Sequence, residues 1–198
     1  MDALNALPPT LAQRVAGELQ PGEAVLWAGV PGWLSSTLPT LPLFLFGIAW
    51  SSLTFSFEGA AIASILSPSH PASMGTGMGL LFLVFGLPFV AVGIALLGLP
   101  FFEALRAMMT AHVVTDRRLV TVRGGPWKGV EIRPVAALTF VRRRDQAGGR
   151  GNLRLGFGVE VDGDGDPRSV EMAWRGVPDV RKAEGAVRET AGRAGRVV

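Results

Sequence analysis

Residues 112–122 read "HVVTDRRLVTV". Two short runs rich in Val and Thr flank the polar residues Asp116, Arg117 and Arg118, a pattern typical of two β-strands joined by a tight turn. The side chains of Thr115 and Asp116 can form hydrogen bonds with the backbone at such a turn, so we expect their primary role to be structural. The stretch lies shortly after one of the most apolar parts of the chain. It therefore marks the point where a β-domain is predicted to begin.

The charge of the chain is unevenly distributed. Residues 1–100 contain one basic residue, Arg14, and four acidic residues, out of 19 Lys plus Arg and 16 Asp plus Glu in the whole chain. The first half therefore has a net charge of −3 and the second half +6. This change predicts a domain boundary near residue 103.

Two runs without charge, residues 39–57 and 78–102, are long enough to cross a bilayer, which takes about 20 apolar residues as a helix. A buried core helix is a poor explanation for two such runs in 198 residues, and a cleaved signal peptide would begin earlier. We expect transmembrane helices at 34–57 and 78–102. They separate an N-terminal segment, 1–33, from a loop, 58–77, and a C-terminal domain, 104–198.

The loop charges predict the orientation of this hairpin. Residues 58–77 contain no Arg or Lys, whereas Arg106, Arg117 and Arg118 follow the second run. Basic residues favour the cytoplasmic side, so the loop is expected outside and both termini in the cytoplasm. Arg greatly outnumbers Lys, and Ala and Gly are abundant, which favours a bacterial source and thus a bacterial inner membrane.

Small residues in the two runs predict helix packing. Gly79, Gly86 and Gly93 recur every seven residues, and Gly47 and Ser51 form a small-xxx-small pair. These faces are expected to pack as a hairpin, with self-association as the alternative. Two acidic residues, Glu58 and Glu103, are expected at the ends of the spans. With no ionisable side chain inside, the spans are predicted to be an anchor rather than a transport path.

The C-terminal half has the pattern of a small β-sandwich or barrel. Short alternating runs follow one another with turn signals between them, as in "GVEIRP" (129–134) and "LRLGFGVEV" (153–161). The final stretch, 176–193, has apolar residues at helical spacing after Pro178 and predicts a closing amphipathic helix. The strand-like "EAVLWAGVP" (23–31) is expected to pack on the β-domain or at the bilayer surface.

Several motifs, in this order, resemble a known family. They are "LQPGEAVLWAGVP" (19–31), "VVTDRRLV" (113–120), "IRPVAALTFV" (132–141), "GNLRLGFG" (151–158) and "WRGVPDVRKAEGAVRE" (174–189). Together they resemble bacterial membrane proteins in which a pleckstrin-homology (PH)-like domain follows a two-helix transmembrane hairpin. The resemblance implies a mainly-β domain closed by a C-terminal helix, and no catalytic residues or cofactor.

Arginines are the candidate contact residues of the domain. A headgroup or partner contact is predicted from six of them, Arg117, Arg118, Arg142, Arg143, Arg144 and Arg150. Such a cluster can bind anionic lipid headgroups, or it can be a solvated basic edge that obeys the positive-inside bias. Nucleic acid is not expected as a partner, because only Phe140 lies near the cluster as a stacking platform.

Other chemistry has little support in the sequence. The chain has no Cys, and neither His70 nor His112 has an evident catalytic or zinc partner. "DGDGDP" (162–167) lacks the glutamate of a calcium loop and is expected to be a hairpin turn. The sequence therefore predicts no metal, no cofactor and no enzyme. It predicts a non-enzymatic membrane protein whose domain serves protein interaction or assembly, with headgroup recognition as the alternative and a protein partner, a second copy or membrane lipids as partners.

Overall fold

The structure, a computed structural model, describes residues 2–67, 75–161, 163 and 166–195. The helices are α1 (Pro9–Glu18), α2 (Trp33–Thr37), α3 (Leu41–Leu66), α4 (Thr76–Met108) and α5 (Val180–Arg193). The strands are β1 (Val25–Gly29), β2 (Thr110–Thr115), β3 (Arg118–Arg123), β4 (Gly129–Pro134), β5 (Phe140–Asp145), β6 (Gly151–Val161) and β7 (Pro167–Val177).

The chain forms two compact units. One unit, here called the β-domain, combines Met1–Ser36 with Glu103–Val198. The other, here called the helix pair, is Thr37–Phe102. The β-domain is thus assembled from both ends of the chain.

The β-domain contains two antiparallel sheets. The first has the strand order β1-β2-β3-β4, and the second has the order β5-β6-β7. Within residues 112–122, His112 pairs with Thr121 and Val114 pairs with Leu119, as the predicted arrangement of strand, turn and strand requires. Each strand of the second sheet follows its neighbour directly in sequence, so short connections suffice.

The N-terminal segment belongs to the first sheet. Strand β1 pairs antiparallel with β2, with Val25 opposite Thr115 and Gly29 opposite His112. Of the two sequence-based alternatives for residues 23–31, the structure therefore shows packing on the β-domain. Helix α1 adds to this attachment, because Leu11 and Val15 are buried against Val113 and Val120 of the first sheet.

A second apolar core lies on the other side of the first sheet. It joins Leu119 of the first sheet, Leu155 and Trp174 of the second sheet, and one face of α5. The apolar residues at helical spacing in the predicted helix, Val180, Ala183, Val187 and Ala191, are all buried. The closing helix is therefore confirmed. Burial on both faces explains why every residue of β2 is buried.

The helix pair consists of two long apolar helices. The candidate spans Trp33–Leu66 and Thr76–Met108 are long and apolar enough to cross a membrane, and their most apolar windows are only 11% and 6% buried. Both exceed the predicted spans, because helix-compatible residues continue beyond the uncharged runs. Helix α3 continues past Glu58 to Leu66, so it extends beyond the predicted end of the first span at residue 57.

Some predictions fall outside the described residues. His70 and most of the segment between α3 and α4 are among these, as are Asp162 and Asp164 of the predicted hairpin turn. The strands on either side of that turn, β6 and β7, are paired antiparallel, with Val161 opposite Pro167.

Candidate functional site

The turn between β2 and β3 is a structural junction. The Thr115 hydroxyl accepts hydrogen bonds from the backbone N–H groups of Arg117 (3.3 Å) and Arg118 (3.0 Å). Asp116 Oδ1 accepts the N–H of Ala24 at 3.1 Å, and the Asp116 N–H donates to the Ala24 carbonyl at 3.0 Å. The predicted structural role of Thr115 and Asp116 is confirmed, and the turn also holds the N-terminal segment.

Arg118 lies in a partly buried ion pair rather than on a contact surface. Its Nη2 lies 2.7 Å from Glu23 Oε2, and its Nε donates to Glu23 Oε1 at 2.8 Å. Burial of Glu23 opposes ionisation, but hydrogen bonds from Arg118, Gln20 and Thr115 and the charge of Arg118 outweigh it and lower the pKa of Glu23 to about 2. The same pair raises the pKa of Arg118.

Three other predicted contact arginines are separated from one another. Arg143 pairs with Glu184 of α5 and, at 2.8 Å, with Asp145, so it ties β5 to the closing helix. Arg150 donates to the Gly176 carbonyl at 3.2 Å. Arg117 is 54% exposed and lies 3.8 Å from Asp116.

The remaining two, Arg142 and Arg144, lie on the outer face of the second sheet. Alternation along β5 turns them away from Arg143. Arg154 of β6 pairs directly opposite Arg142, and Arg175 of β7 lies on the same face, since its neighbour Trp174 points into the core. We call Arg142, Arg144, Arg154 and Arg175 the arginine face.

The arginine face is a shallow positive depression. Its four residues line a space of about 450 Å³, together with Arg143, Asn152, Leu153, Ala173 and Trp174. The Arg142 guanidinium lies 5.6 Å from the centre of the Phe140 ring. Glu171 lies 4.0 Å from Arg154, and in the described parts of the chain no carboxylate is within ion-pair distance of the other three arginines. The face therefore has an excess of unneutralised guanidinium groups.

Sequence reasoning did not include Arg154 or Arg175 among the contact residues. It grouped Arg142 to Arg144 by adjacency, although alternate residues of a strand point to opposite faces. The same alternation in "LRL" (153–155) and "WRG" (174–176), where an arginine is flanked by core residues, was the signal for Arg154 and Arg175.

His112 belongs to a buried polar group in the core. Its Nδ1 lies 3.0 Å from Thr121 Oγ1, which also accepts the Trp174 indole N–H at 3.0 Å. The imidazole stacks on the Trp174 ring with centroids 4.8 Å apart. Burial, with repulsion from Arg123, lowers the pKa of His112 to about 3, so the ring is neutral and its contacts are structural.

The predicted packing residues of the helix pair lie where α3 and α4 approach closely. A Cβ atom added to Gly93 would lie 2.6 Å from Ser51 Oγ, and one added to Gly47 would lie 2.8 Å from Leu96. At Gly79 the nearest atom would be the Ala61 carbonyl oxygen, at 2.9 Å.

Gly86 faces an acidic side chain of the other helix. A Cβ atom at Gly86 would overlap the carboxylate of Glu58, so the glycine provides the space that this group occupies. Trp50 joins the helices nearby, because its Nε1 donates to the Phe89 carbonyl at 3.0 Å.

Within the described residues, no group of three His, Cys, Asp or Glu side chains could hold a metal ion. Comparisons of the chain with models of protein families, with curated proteins and with solved structures find no match.

Proposed function

We propose that this is a non-enzymatic integral membrane protein that presents a cytoplasmic PH-like domain for protein interaction, and that the arginine face binds an acidic segment of the partner protein. The observation that carries the proposal is the gathering of four guanidinium groups on one sheet face, where Glu171 is the one carboxylate within ion-pair distance of them among the described side chains.

Two observations support the membrane anchor. The helix pair leaves most of its apolar side chains exposed, among them Leu45, Phe85 and Ile94, which is costly in water and favourable in lipid. Hydroxyl groups in α3 bond within the helix, as Ser52 does to the Ile48 carbonyl at 2.8 Å, which suits an environment without water. The asymmetry of the basic residues supports a cytoplasmic β-domain in a bacterial inner membrane.

The PH-like assignment has its own support. A four-stranded and a three-stranded antiparallel sheet with a C-terminal helix are the kinds of element that the resemblance implies. The most recognisable motif, "VVTDRRLV", forms the turn between β2 and β3, where Thr115 and Arg118 join the N-terminal segment to the sheet.

The layout of the arginine face suits several carboxylates at once. Its residues lie on three adjacent strands, which are spaced about 4.8 Å apart, so the charges cover a patch of roughly 10 Å. Arginine forms two parallel hydrogen bonds with a carboxylate and keeps its charge at every physiological pH. A run of Asp and Glu residues in an extended peptide has the spacing and the charge to engage such a patch.

Recognition of anionic lipid headgroups is the second candidate function. The guanidinium group binds phosphate as well as carboxylate, and the helix pair favours a location where such headgroups are abundant. The two candidates share one site and differ in the molecule that carries the negative charge.

The test uses the full chain in phosphatidylcholine nanodiscs, titrated with a fluorescent oligoglutamate peptide. We expect binding that weakens at least tenfold in the double variant Arg144→Ala/Arg175→Ala. The matched control is Arg181→Ala/Arg193→Ala, which removes the same charge from exposed positions of α5. Equal weakening in both variants would mean that net charge alone attracts the peptide, and would contradict the proposal.

A second experiment distinguishes binding of lipid headgroups from binding of a protein partner. The chain has no Cys, so Ala173→Cys gives a single site for an environment-sensitive dye at the centre of the arginine face. A dye response to phosphatidylglycerol in the nanodisc that salt abolishes, together with no peptide binding, would favour headgroups over a protein partner.

A further inference from the structure

The carboxyl group of Glu58 lies against α4 without a complete set of partners. Its Oε2 is buried and has no hydrogen-bond partner among the described residues. Gly86 leaves the space that the carboxyl group fills, so the group is accommodated between the helices rather than excluded from them. A buried carboxylate that lacks an opposite charge is strongly disfavoured.

The helix pair cannot supply that opposite charge from a lysine or arginine. No Lys or Arg occurs in the sequence between Arg14 and Arg106, and His70 lies outside the described residues. Within the described part of the pair, a positive partner for Glu58 must therefore come from another molecule.

A groove beside Glu58 has the shape and lining for an organic cation. It has a volume of about 310 Å³, at the lower end of the range for small-molecule sites. Apart from Leu53, Thr54, Gly86 and Glu58, its lining is aromatic: Trp50, Phe57, Phe82, Phe85 and Phe89. Aromatic faces attract cations, and they do so more strongly away from water.

A bare metal ion fits this groove poorly. Hard cations take six or more oxygen ligands. The Thr54 hydroxyl, the other side-chain oxygen of the lining, already donates to the Trp50 carbonyl at 2.9 Å. The groove offers Glu58 and aromatic surface, which together favour a large cation with an apolar body.

We propose that the groove between α3 and α4 binds a hydrophobic organic cation, whose charge pairs with the Glu58 carboxylate and whose body packs on the aromatic side chains. This site is separate from the arginine face, and its proposal does not depend on the proposed function.

The experiment measures binding of tetraphenylphosphonium to the full chain in phosphatidylcholine nanodiscs, with triphenylphosphine oxide as a neutral probe of similar chemistry. Saturable binding of the cation is expected, with at least tenfold weaker affinity in Glu58→Gln, equivalent to about 1.4 kcal/mol. Gly86→Ala should also weaken binding, because its Cβ atom would displace the carboxyl group.

The matched control is Glu103→Gln, which removes the acidic residue of α4 and is not part of the groove. Its affinity should equal that of the unaltered chain. Circular dichroism of each variant checks that the helices form. Unchanged binding in Glu58→Gln, equal affinity for the neutral probe, or no saturable binding at all would overturn the proposal.

Discussion

Glu23 and Glu58 are two acidic residues packed into different regions of the molecule, and their surroundings differ sharply. Glu23, in the β-domain, has a side chain with no exposed surface and receives hydrogen bonds from Arg118, Thr115 and Gln20. Glu58, in the helix pair, has a buried oxygen with no hydrogen-bond partner in the described part of the chain. The comparison suggests that the first carboxylate serves the fold, whereas the second is available for a ligand.

The largest effect should come from removing the N-terminal segment. A chain that begins after residue 31 lacks α1 and β1, which exposes Val113 and Val120 and leaves β2 as an open edge. Each buried aliphatic side chain contributes about 1.5–3 kcal/mol, and a domain has only about 5–15 kcal/mol in total. We expect the cooperative thermal transition of the β-domain to disappear in circular dichroism. A transition at the original temperature would show that the segment is dispensable.

Acid should weaken the β-domain through His112. Its pKa is about 3 in the folded state, against 6.5 when exposed, so only the unfolded chain takes up this proton as the pH falls below 6.5. The free energy of unfolding should then decrease by up to about 1.4 kcal/mol per pH unit. Urea titrations between pH 7 and 5 measure this, above the range in which Glu23 contributes. In the control variant His112→Gln, the free energy of unfolding should not change over this pH range. If it also did not change in the unaltered chain, His112 would not be the group responsible.

Glu23→Leu tests the partnered carboxylate. It leaves Arg118, which is 14% exposed, without its counter-charge, and such a loss costs about 3 kcal/mol. Urea unfolding of the β-domain measures the change. Glu18→Leu is the control, because the hydrogen bond from Arg118 goes to the backbone carbonyl of that residue, at 2.7 Å, and the Glu18 side chain has only a weaker electrostatic interaction with Arg118. If both variants lost the same stability, the ion pair would not be the cause.

Glu58→Leu tests the unpartnered carboxylate and should change stability in the opposite direction. Replacing a buried polar group that lacks a partner with an apolar side chain should stabilise the helix pair by about 1 kcal/mol. Resistance to unfolding in sodium dodecyl sulphate measures it. A loss of stability comparable to that of Glu23→Leu would mean that Glu58 has partners in the membrane, and the contrast between the two residues would fail.

The sequence was sufficient for features that depend on local periodicity. Alternation in "HVVTDRRLVTV" identified β2, β3 and their turn, and helical spacing from Val180 to Ala191 identified the face that α5 buries. The glycines of the second apolar run were also found in this way, because spacing alone places them on one side of a helix.

The remaining features depend on contacts between distant parts of the chain. The pairing of β1 with β2 and the bond of Arg118 to Glu23 join residues far apart in sequence, and no local pattern selects those partners. Arg143 was grouped with its two neighbours because they are adjacent in sequence. In the structure it points towards α5, whereas the neighbours point outward. The extension of α3 past Glu58 was not anticipated, because the absence of charge, rather than helix propensity, was used to set the end of the first span.

The most direct test of the proposed function is photocrosslinking from the arginine face in living cells. A photoreactive amino acid at Ala173, between Arg154 and Arg175, would be activated in the cells that produce the protein. We predict a discrete crosslinked protein that is lost in Arg144→Ala/Arg175→Ala and retained in Arg181→Ala/Arg193→Ala. Crosslinks to lipid alone, or a protein product that is indifferent to the arginine face, would contradict the account.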